Sequence, residues 1–253
     1  MEKNISLYKG SVKLRFVFDH EDTEKHEYYL GDKRLYGVTY YTGIIDKSEA
    51  LKSWAVKQMG LFFTDYLGQP ITEELITRGK KEYRNVSKEA MDIGKKIHAW
   101  IEQKISGENP AIPEDEKIRN GTIAFMDFQK QHKVKWLESE RLVYSQKYKY
   151  PGTADGIGLV GKDLVLFDFK SSKPSSISPD GIYPEHAVQA AGYQLAYEEE
   201  TGKKIAYRII ISLDKETGEP RFRKFCDNKK DQQAFINCLK LRRRLDELKK
   251  INL

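Results

Sequence analysis

Residues 152–170 run Gly152-Thr-Ala-Asp155-Gly-Ile-Gly-Leu-Val-Gly161-Lys-Asp-Leu-Val-Leu-Phe-Asp168-Phe-Lys170. The stretch predicts two strands, Thr153 to Val160 and Leu164 to Lys170, joined by a tight turn at Gly161-Lys162. Asp155 stands near the start of the first strand and Asp168 near the end of the second. In an antiparallel hairpin those two ends lie side by side, so the carboxylates converge although they are 13 positions apart in the chain. Asp168 and Lys170 are two apart and share a face of their strand. Two carboxylates with an ammonium beside them make a site for a hard divalent cation. Lys170 also ends the apolar run Leu164 to Phe167, where a buried charge is costly without a partner. A single Asp here would read as an ordinary strand-end turn or salt bridge; the three groups together do not.

The pattern on either side sets the fold class. Leu137 to Tyr150 reads as a strand leading into the hairpin through a turn at Pro151-Gly152. A Ser-, Pro- and Gly-containing loop (Ser171 to Tyr183) follows Lys170 and enters a helix from Pro184 to Glu200. Ile205 to Leu213 is a strongly apolar strand, Arg221 to Cys226 a weaker one, and Lys229 to Ile251 a long basic helix. Upstream, Ser87 is a candidate N-cap for a helix running to about Ser106, and Pro113 to about His132 is a further helix. The polar stretch Gln69 to Arg84 has room for a short helix. Asp46 to Leu67 has helical period, with Leu51, Trp54, Ala55, Met59, Phe62 and Phe63 as its stripe. The first 45 residues read as irregular β structure, with Val12 to Asp19 alternating at period two and aromatics and glycines at turn spacing up to Gly43. From Ser87 onward the order is helix, helix, three strands, helix, strand, strand, helix. That is an α/β or α+β arrangement around a mixed sheet, without the repetition of a barrel or doubly wound fold. No glycine loop of nucleotide-binding type is present.

Composition narrows the classes. At 253 residues the chain is long enough to bury a core without disulfides. Charged residues, 32% of the total, interrupt every apolar run well short of the ~18 residues a membrane span needs. The N-terminus has no secretory h-region, and Cys226 and Cys238 read as free thiols, so the cytoplasm is the expected address. The net charge of +6 is uneven, because residues 203–253 hold 15 Lys and Arg against 7 Asp and Glu. A localised basic face suits a polyanion such as nucleic acid, although a solvated helix face explains the charge equally well.

Gly-X-X-Asp155 followed by Asp168-X-Lys170 resembles the core motif of the PD-(D/E)XK nuclease superfamily. Gln189-Ala-Ala-Gly-Tyr193 is similar to the Gln-X-X-X-Tyr motif of its RecB-like branch. Gly94-Lys-Lys-Ile-His98-Ala-Trp-Ile-Glu102 resembles the upstream helix whose histidine joins the metal site there. Tyr36-Gly-Val-Thr39, with Leu51 and Trp54, is similar to the leader of phage and mitochondrial genome maintenance exonucleases. The resemblance covers about residues 36–213, with the motifs in the family's order.

The resemblance implies a restriction-endonuclease-like core, a mixed β-sheet flanked by helices, over residues 86–253 with the basic C-terminal helix. It also implies a β/helical N-terminal region over residues 1–85, lying above the active site in one compact unit. The implied activity is a metal-dependent DNA exonuclease acting on single-stranded or end-processed duplex ends in recombination, repair or replication. Asp155, Asp168 and His98, with the backbone carbonyl of Phe169, would hold Mg²⁺ or Mn²⁺, and Lys170 would orient the attacking water and offset phosphate charge. Gln189 and Tyr193, an i, i+4 pair on one helix face, would orient the scissile phosphate or the DNA backbone. DNA is the implied partner, with a single-strand-binding or annealing protein beside it in a bacterial or phage-infected cell. Branches with an iron–sulfur cluster need four cysteines, so no cluster is expected with two. By residue type alone His98 reads as a core histidine and Tyr193 as a core tyrosine. Glu140 reads as structural or supporting, sharing a face with Leu142, Tyr144 and Tyr148, and Glu102 as solvated. Tyr144, Lys147, Tyr148 and Tyr150 read as strand packing or as a base-stacking row. The alternatives are a structure-selective endonuclease of the same superfamily and an inactive DNA-binding module; the intact Asp155, Asp168 and Lys170 argue against the second.

Overall fold

The computed structural model describes residues 2–18, 26–172, 174, 175 and 178–251. An antiparallel meander opens the chain: β1 (Glu2–Leu7), β2 (Val12–Phe18), β3 (His26–Leu30) and β4 (Lys33–Leu35), in that spatial order. Four helices follow, α1 (Val38–Thr42), α2 (Ser48–Thr64), α3 (Glu73–Ile105) and α4 (Glu116–His132). The second sheet has β5 (Lys135–Ser145), β6 (Tyr150–Val160), β7 (Asp163–Lys170), β8 (Tyr207–Leu213) and β9 (Pro220–Phe225), again in spatial order. It is mixed: β7 and β8 pair in parallel across the crossover helix α5 (Pro184–Thr201), and the other neighbours are antiparallel. Helix α6 (Asn228–Ile251) closes the chain. The expected α/β class is present, a mixed sheet flanked by helices with a sheet-rich N-terminal region. No helix among the described residues is long and apolar enough to cross a membrane.

Alternation along β7 and β8 feeds two cores. Val165, Phe167, Phe169, Ile209 and Ile211 point to one face and pack with Ile97, Ile101, Phe125 and Phe128 of α3 and α4. Leu166 and Ile210 point to the other and pack with Ala190, Tyr193 and Tyr197 of α5 and with Phe235 and Leu239 of α6. Each fully buried Phe, Leu or Ile is worth about 1.5–3 kcal/mol of apolar burial. A third, smaller core joins the N-terminal sheet to β5 through Leu7, Leu14, Tyr28 and Leu35 against Leu142 and Tyr144.

Three local expectations are corrected. Ser87 does not start a helix: α3 begins fourteen residues earlier and runs unbroken through Ser87, capped by the Thr72 hydroxyl, which accepts from Leu75 N–H at 3.2 Å. The polar stretch before Ser87 is helical because its few small and apolar residues meet α2. At Gly79 a Cβ would lie 2.8 Å from the Phe63 ring, so this glycine marks a close approach and not a break. The turn before the hairpin is at residues 146–149, not Pro151-Gly152. Lys149 sits there at φ 53 and donates its N–H to the Ser145 carbonyl at 2.8 Å. Pro151 is tolerated inside β6 because pairing with β7 begins only at Gly156. Residues 38–42, rich in β-formers, form the short helix α1. The predicted strand end at Asp19 lies outside the described residues.

Part of the C-terminal basic excess is spent inside the fold. Arg243 donates to the Tyr148 carbonyl at 2.6 Å, and Arg242 stacks 4.9 Å from the centre of the Tyr40 ring, so both tie α6 to its neighbours. Arg208 on β8 is fully buried and donates to Asp231 Oδ2 at 2.6 Å and to the Ala187 carbonyl at 2.8 Å, joining β8, α5 and α6. Removing the partner leaves a guanidinium short of charge in the interior. Asp231→Ala is therefore expected to cost about 2–4 kcal/mol in urea unfolding. Arg208→Met, which removes both the charge and its need for a partner, is expected to cost less. Equal or smaller loss in Asp231→Ala would contradict this.

Candidate active site

The registers of β5, β6 and β7 bring three acids to one level. β6 and β7 pair from Val160↔Asp163 at the turn to Gly156↔Phe167, and one step further sets Asp155 opposite Asp168. β5 and β6 pair at Ser139↔Gly156 and Arg141↔Ala154, which sets Glu140 opposite Asp155. Glu140 adopts φ 45, left-handed backbone within a strand. For a residue with a Cβ that conformation costs about 1–3 kcal/mol, held by the surrounding sheet.

His98 reaches the row from α3. Ligand atoms of His98, Glu140 and Asp155 all lie within 4.8 Å of one another. The helix can come this close because residue 94 is glycine: a Cβ there would be 2.7 Å from Ser171 Oγ. Asp155 Oδ2 accepts the Phe169 N–H at 2.7 Å, and the carbonyl of the same residue accepts from the His98 imidazole. Asp168 is 1% exposed and meets Lys170 Nζ at 2.5 Å through Oδ2, while its Oδ1 is buried without a hydrogen-bond partner. Gln189 Nε2 donates to Tyr193 Oη at 2.8 Å. The Tyr193 ring lies over Gly152, where a Cβ would come within 2.7 Å of it. Gly152 and Tyr193 are thus in contact, which accounts for the glycine by packing.

The electrostatics show a cluster with too much negative charge. Burial pushes the Glu140 carboxyl up to about 8, helped by the neighbouring Asp155, Glu102 and Asp168 charges. Burial raises Asp168 to about 6, with Lys170 opposing and Asp155 adding to the rise. Asp155 is raised by burial against the pull of Lys170 and the Phe169 N–H. Burial alone would lower Lys170, but Asp168 and Asp155 together outweigh it, so its ammonium is held charged. Burial and then Lys170 lower His98 to about 4, leaving a neutral imidazole with a lone pair to give at neutral pH. Three acids with raised values, a neutral imidazole and an orphaned buried carboxylate oxygen fit a divalent cation with mostly oxygen ligands. The imidazole nitrogen makes Mn²⁺ as acceptable as Mg²⁺.

The residues expected from sequence fall into groups. His98 and Asp155 are brought together, Asp168 and Lys170 pair beside them, and Phe169 contacts the cluster through its backbone. Tyr193 and Asp155 line one cleft of about 600 Å³. Glu140, read as a supporting residue, instead enters the cluster itself. Glu102 is exposed, as read, but stands at the cleft and its charge reaches Glu140. Tyr144 and Tyr150, at 1% and 0% exposure, are core residues and cannot stack on bases.

No protein-family model matches the chain, and neither does any curated protein. Among solved structures, LHK-Exo in complex with dAMP aligns at TM-score 0.34 and 12% identity, over 85% of this chain and 94% of that one. The alkaline exonuclease LHK-Exo from Laribacter hongkongensis aligns at TM-score 0.31 and 13% identity, over 79% and 97%. SSO0001 aligns at TM-score 0.28 and 14% identity over 46% of this chain, which spans only 55% of that protein's length. At these scores the likeness carries no argument, and function has to be read from the site.

The Glu140 carboxyl offers a direct check on the cluster. It ionises near 4.5 when unfolded but is held protonated to about 8 when folded, so it erodes stability as pH rises between those values. In EDTA, Glu140→Gln is expected to melt above the wild type at about pH 8, with the gap closing toward about pH 5. Millimolar Mn²⁺ should raise the melting temperature of the wild type more than that of the variant. A gap independent of pH, or equal Mn²⁺ shifts, would contradict the arrangement.

Proposed function

We propose that the chain is a divalent-cation-dependent deoxyribonuclease that hydrolyses phosphodiester bonds from DNA ends, as an exonuclease of the PD-(D/E)XK type. The observation that carries the reading is the convergence of Asp155, Asp168 and Glu140 on adjacent strands, with Lys170 on Asp168 and His98 over Asp155. The resemblance of Gly152-X-X-Asp155, Asp168-X-Lys170, Gln189-X-X-X-Tyr193 and the His98 helix to that superfamily supports it.

In this reading His98, Asp155, Asp168 and Glu140, with the Phe169 carbonyl, hold Mg²⁺ or Mn²⁺. The cation, when bound, supplies positive charge to the phosphate oxygens and acidifies the attacking water. The chain's own groups do the positioning. The Phe169 N–H fixes one oxygen of Asp155, leaving the other to the cluster. Asp168 keeps Lys170 protonated and aimed along its strand. From there the ammonium orients the water that attacks phosphorus and offsets the charge that grows on the non-bridging oxygens as the P–O ester bond breaks. Gln189 and Tyr193, already hydrogen-bonded to each other, hold the phosphate or its neighbour. The N-terminal region, whose Phe16 and Tyr28 line the cleft, covers the site and favours a free end over an internal bond.

The test compares linear single-stranded, linear duplex and covalently closed circular DNA, each with Mg²⁺, Mn²⁺ or EDTA. Wild type is expected to degrade linear DNA only, with no activity in EDTA, and Lys170→Ala is expected to lose about 100-fold or more. Cutting of the closed circle would make the protein an endonuclease. Binding of DNA without cleavage under any cation would overturn the catalytic reading.

A further inference from the structure

The inward face of the N-terminal sheet does not end where its core ends. On β2 and β3, Leu14, Phe16, Leu30, Tyr28 and His26 fall on one face by register, since Leu14 pairs with Leu30, Phe16 with Tyr28 and Phe18 with His26. At the Leu14 end this face is sealed against Leu142 and Tyr144 of β5. Burial then falls along the strands: Leu14 is 0% exposed and Tyr28 4%, Phe16 is half-buried and His26 exposed. The three aromatic rings stay in mutual contact as they emerge, with centroids 5.2 Å apart for Phe16 and Tyr28, 5.6 Å for Phe16 and His26, and 5.3 Å for His26 and Tyr28. They emerge into the cleft that holds His98, Glu140 and Asp155, and Met91 and Lys95 of α3 line the same cleft.

We propose that Phe16 and His26, backed by Tyr28, form a stacking wall for one unpaired nucleobase next to the phosphate held at the acidic cluster. This rests on the nuclease reading above and adds to it the substrate form, an unstacked single-stranded nucleotide. A wall of this kind accepts every base, because stacking uses the π-face and no base edge. Met91, 39% exposed, supplies a polarizable side chain to the same cleft, and Lys95 a cation for the backbone. A cleft of about 600 Å³ is within the roughly 300–1,000 Å³ of sites that hold a small ligand such as one nucleotide. A base stacked on both sides within a duplex has no free face for the wall, whereas a base at an unpaired end does.

The experiment first confirms cleavage of a natural single-stranded oligonucleotide by the wild type. It then replaces the base by an abasic site at each of the terminal positions in turn. At one position the wild type is expected to show a KM raised about tenfold, with kcat changed less. Phe16→Leu, which keeps an apolar side chain in the sheet, combined with His26→Ala is expected to raise KM on the natural strand and to lose the difference between natural and abasic strands. Phe16→Trp is expected to keep it. A 2-aminopurine at the sensitive position should lose fluorescence on binding wild type in EDTA, and less on the double variant. Equal cleavage of abasic and natural strands by the wild type, or equal KM changes of the variants on both, would overturn the wall while leaving the nuclease reading intact. Failure of the wild type to cut the natural strand with any divalent cation would overturn both.

Discussion

Three carboxyl groups set side by side across β5, β6 and β7 repel one another. Two unit charges about 4 Å apart at an effective dielectric of about 20 interact by roughly 4 kcal/mol. The sheet accepts this at the one level where Glu140, Asp155 and Asp168 meet, and it meets the charge incompletely, with Lys170 on Asp168 and one backbone N–H on Asp155. Burial first, and neighbouring carboxylates second, hold the carboxyls of Glu140 and Asp168 above their ordinary range. In the proposed reading, a bound divalent cation would offset this charge at its source.

Much else in the fold follows from bringing other groups up to that row. α3 is long enough to pack its middle on the sheet and still project its first turns alongside α2. Its approach depends on Gly94 at the point nearest Ser171. α5 presents Tyr193 to Gly152 and the Tyr197 hydroxyl to Glu138, so the helix is registered against β5 and β6 near the acids. Buried Arg208, bonded to α5 and α6, fixes β8 beside β7 and with it the position of Asp168. Among the described residues the N-terminal sheet contributes no acid to the cluster, yet its aromatic face forms part of the cleft wall.

The hairpin was legible because it is local. Gly161 at φ 62 closes a two-residue turn, and the alternation on each side then sets Asp155 against Asp168 with no distant information. Glu140 was not legible for a related reason. With the preceding turn placed at Pro151-Gly152, Asp155 faces Tyr148; with the turn at residues 146–149, it faces Glu140. Proline and glycine are ordinarily turn residues, and only the late start of the β6–β7 ladder and the close Tyr193 ring explain why both stand in a strand here. The aromatic face of β2 and β3 was equally hidden. Period two identifies a strand but does not say that its face extends beyond its own core. The unbroken length of α3 is not legible, because Gly79 and a charged surface suggest a short separate helix until α2 is seen packed against it.

The central claim, that the row of acids with His98 is a cation site, is tested most directly by anomalous diffraction from crystals soaked in Mn²⁺. The account predicts a Mn²⁺ peak in contact with Asp155 and His98, with Asp168 or Glu140 completing its protein ligands, and no peak at that place in Asp155→Asn crystals. Crystals that take up Mn²⁺ elsewhere, or not at all, with the three carboxyls unchanged, would contradict it.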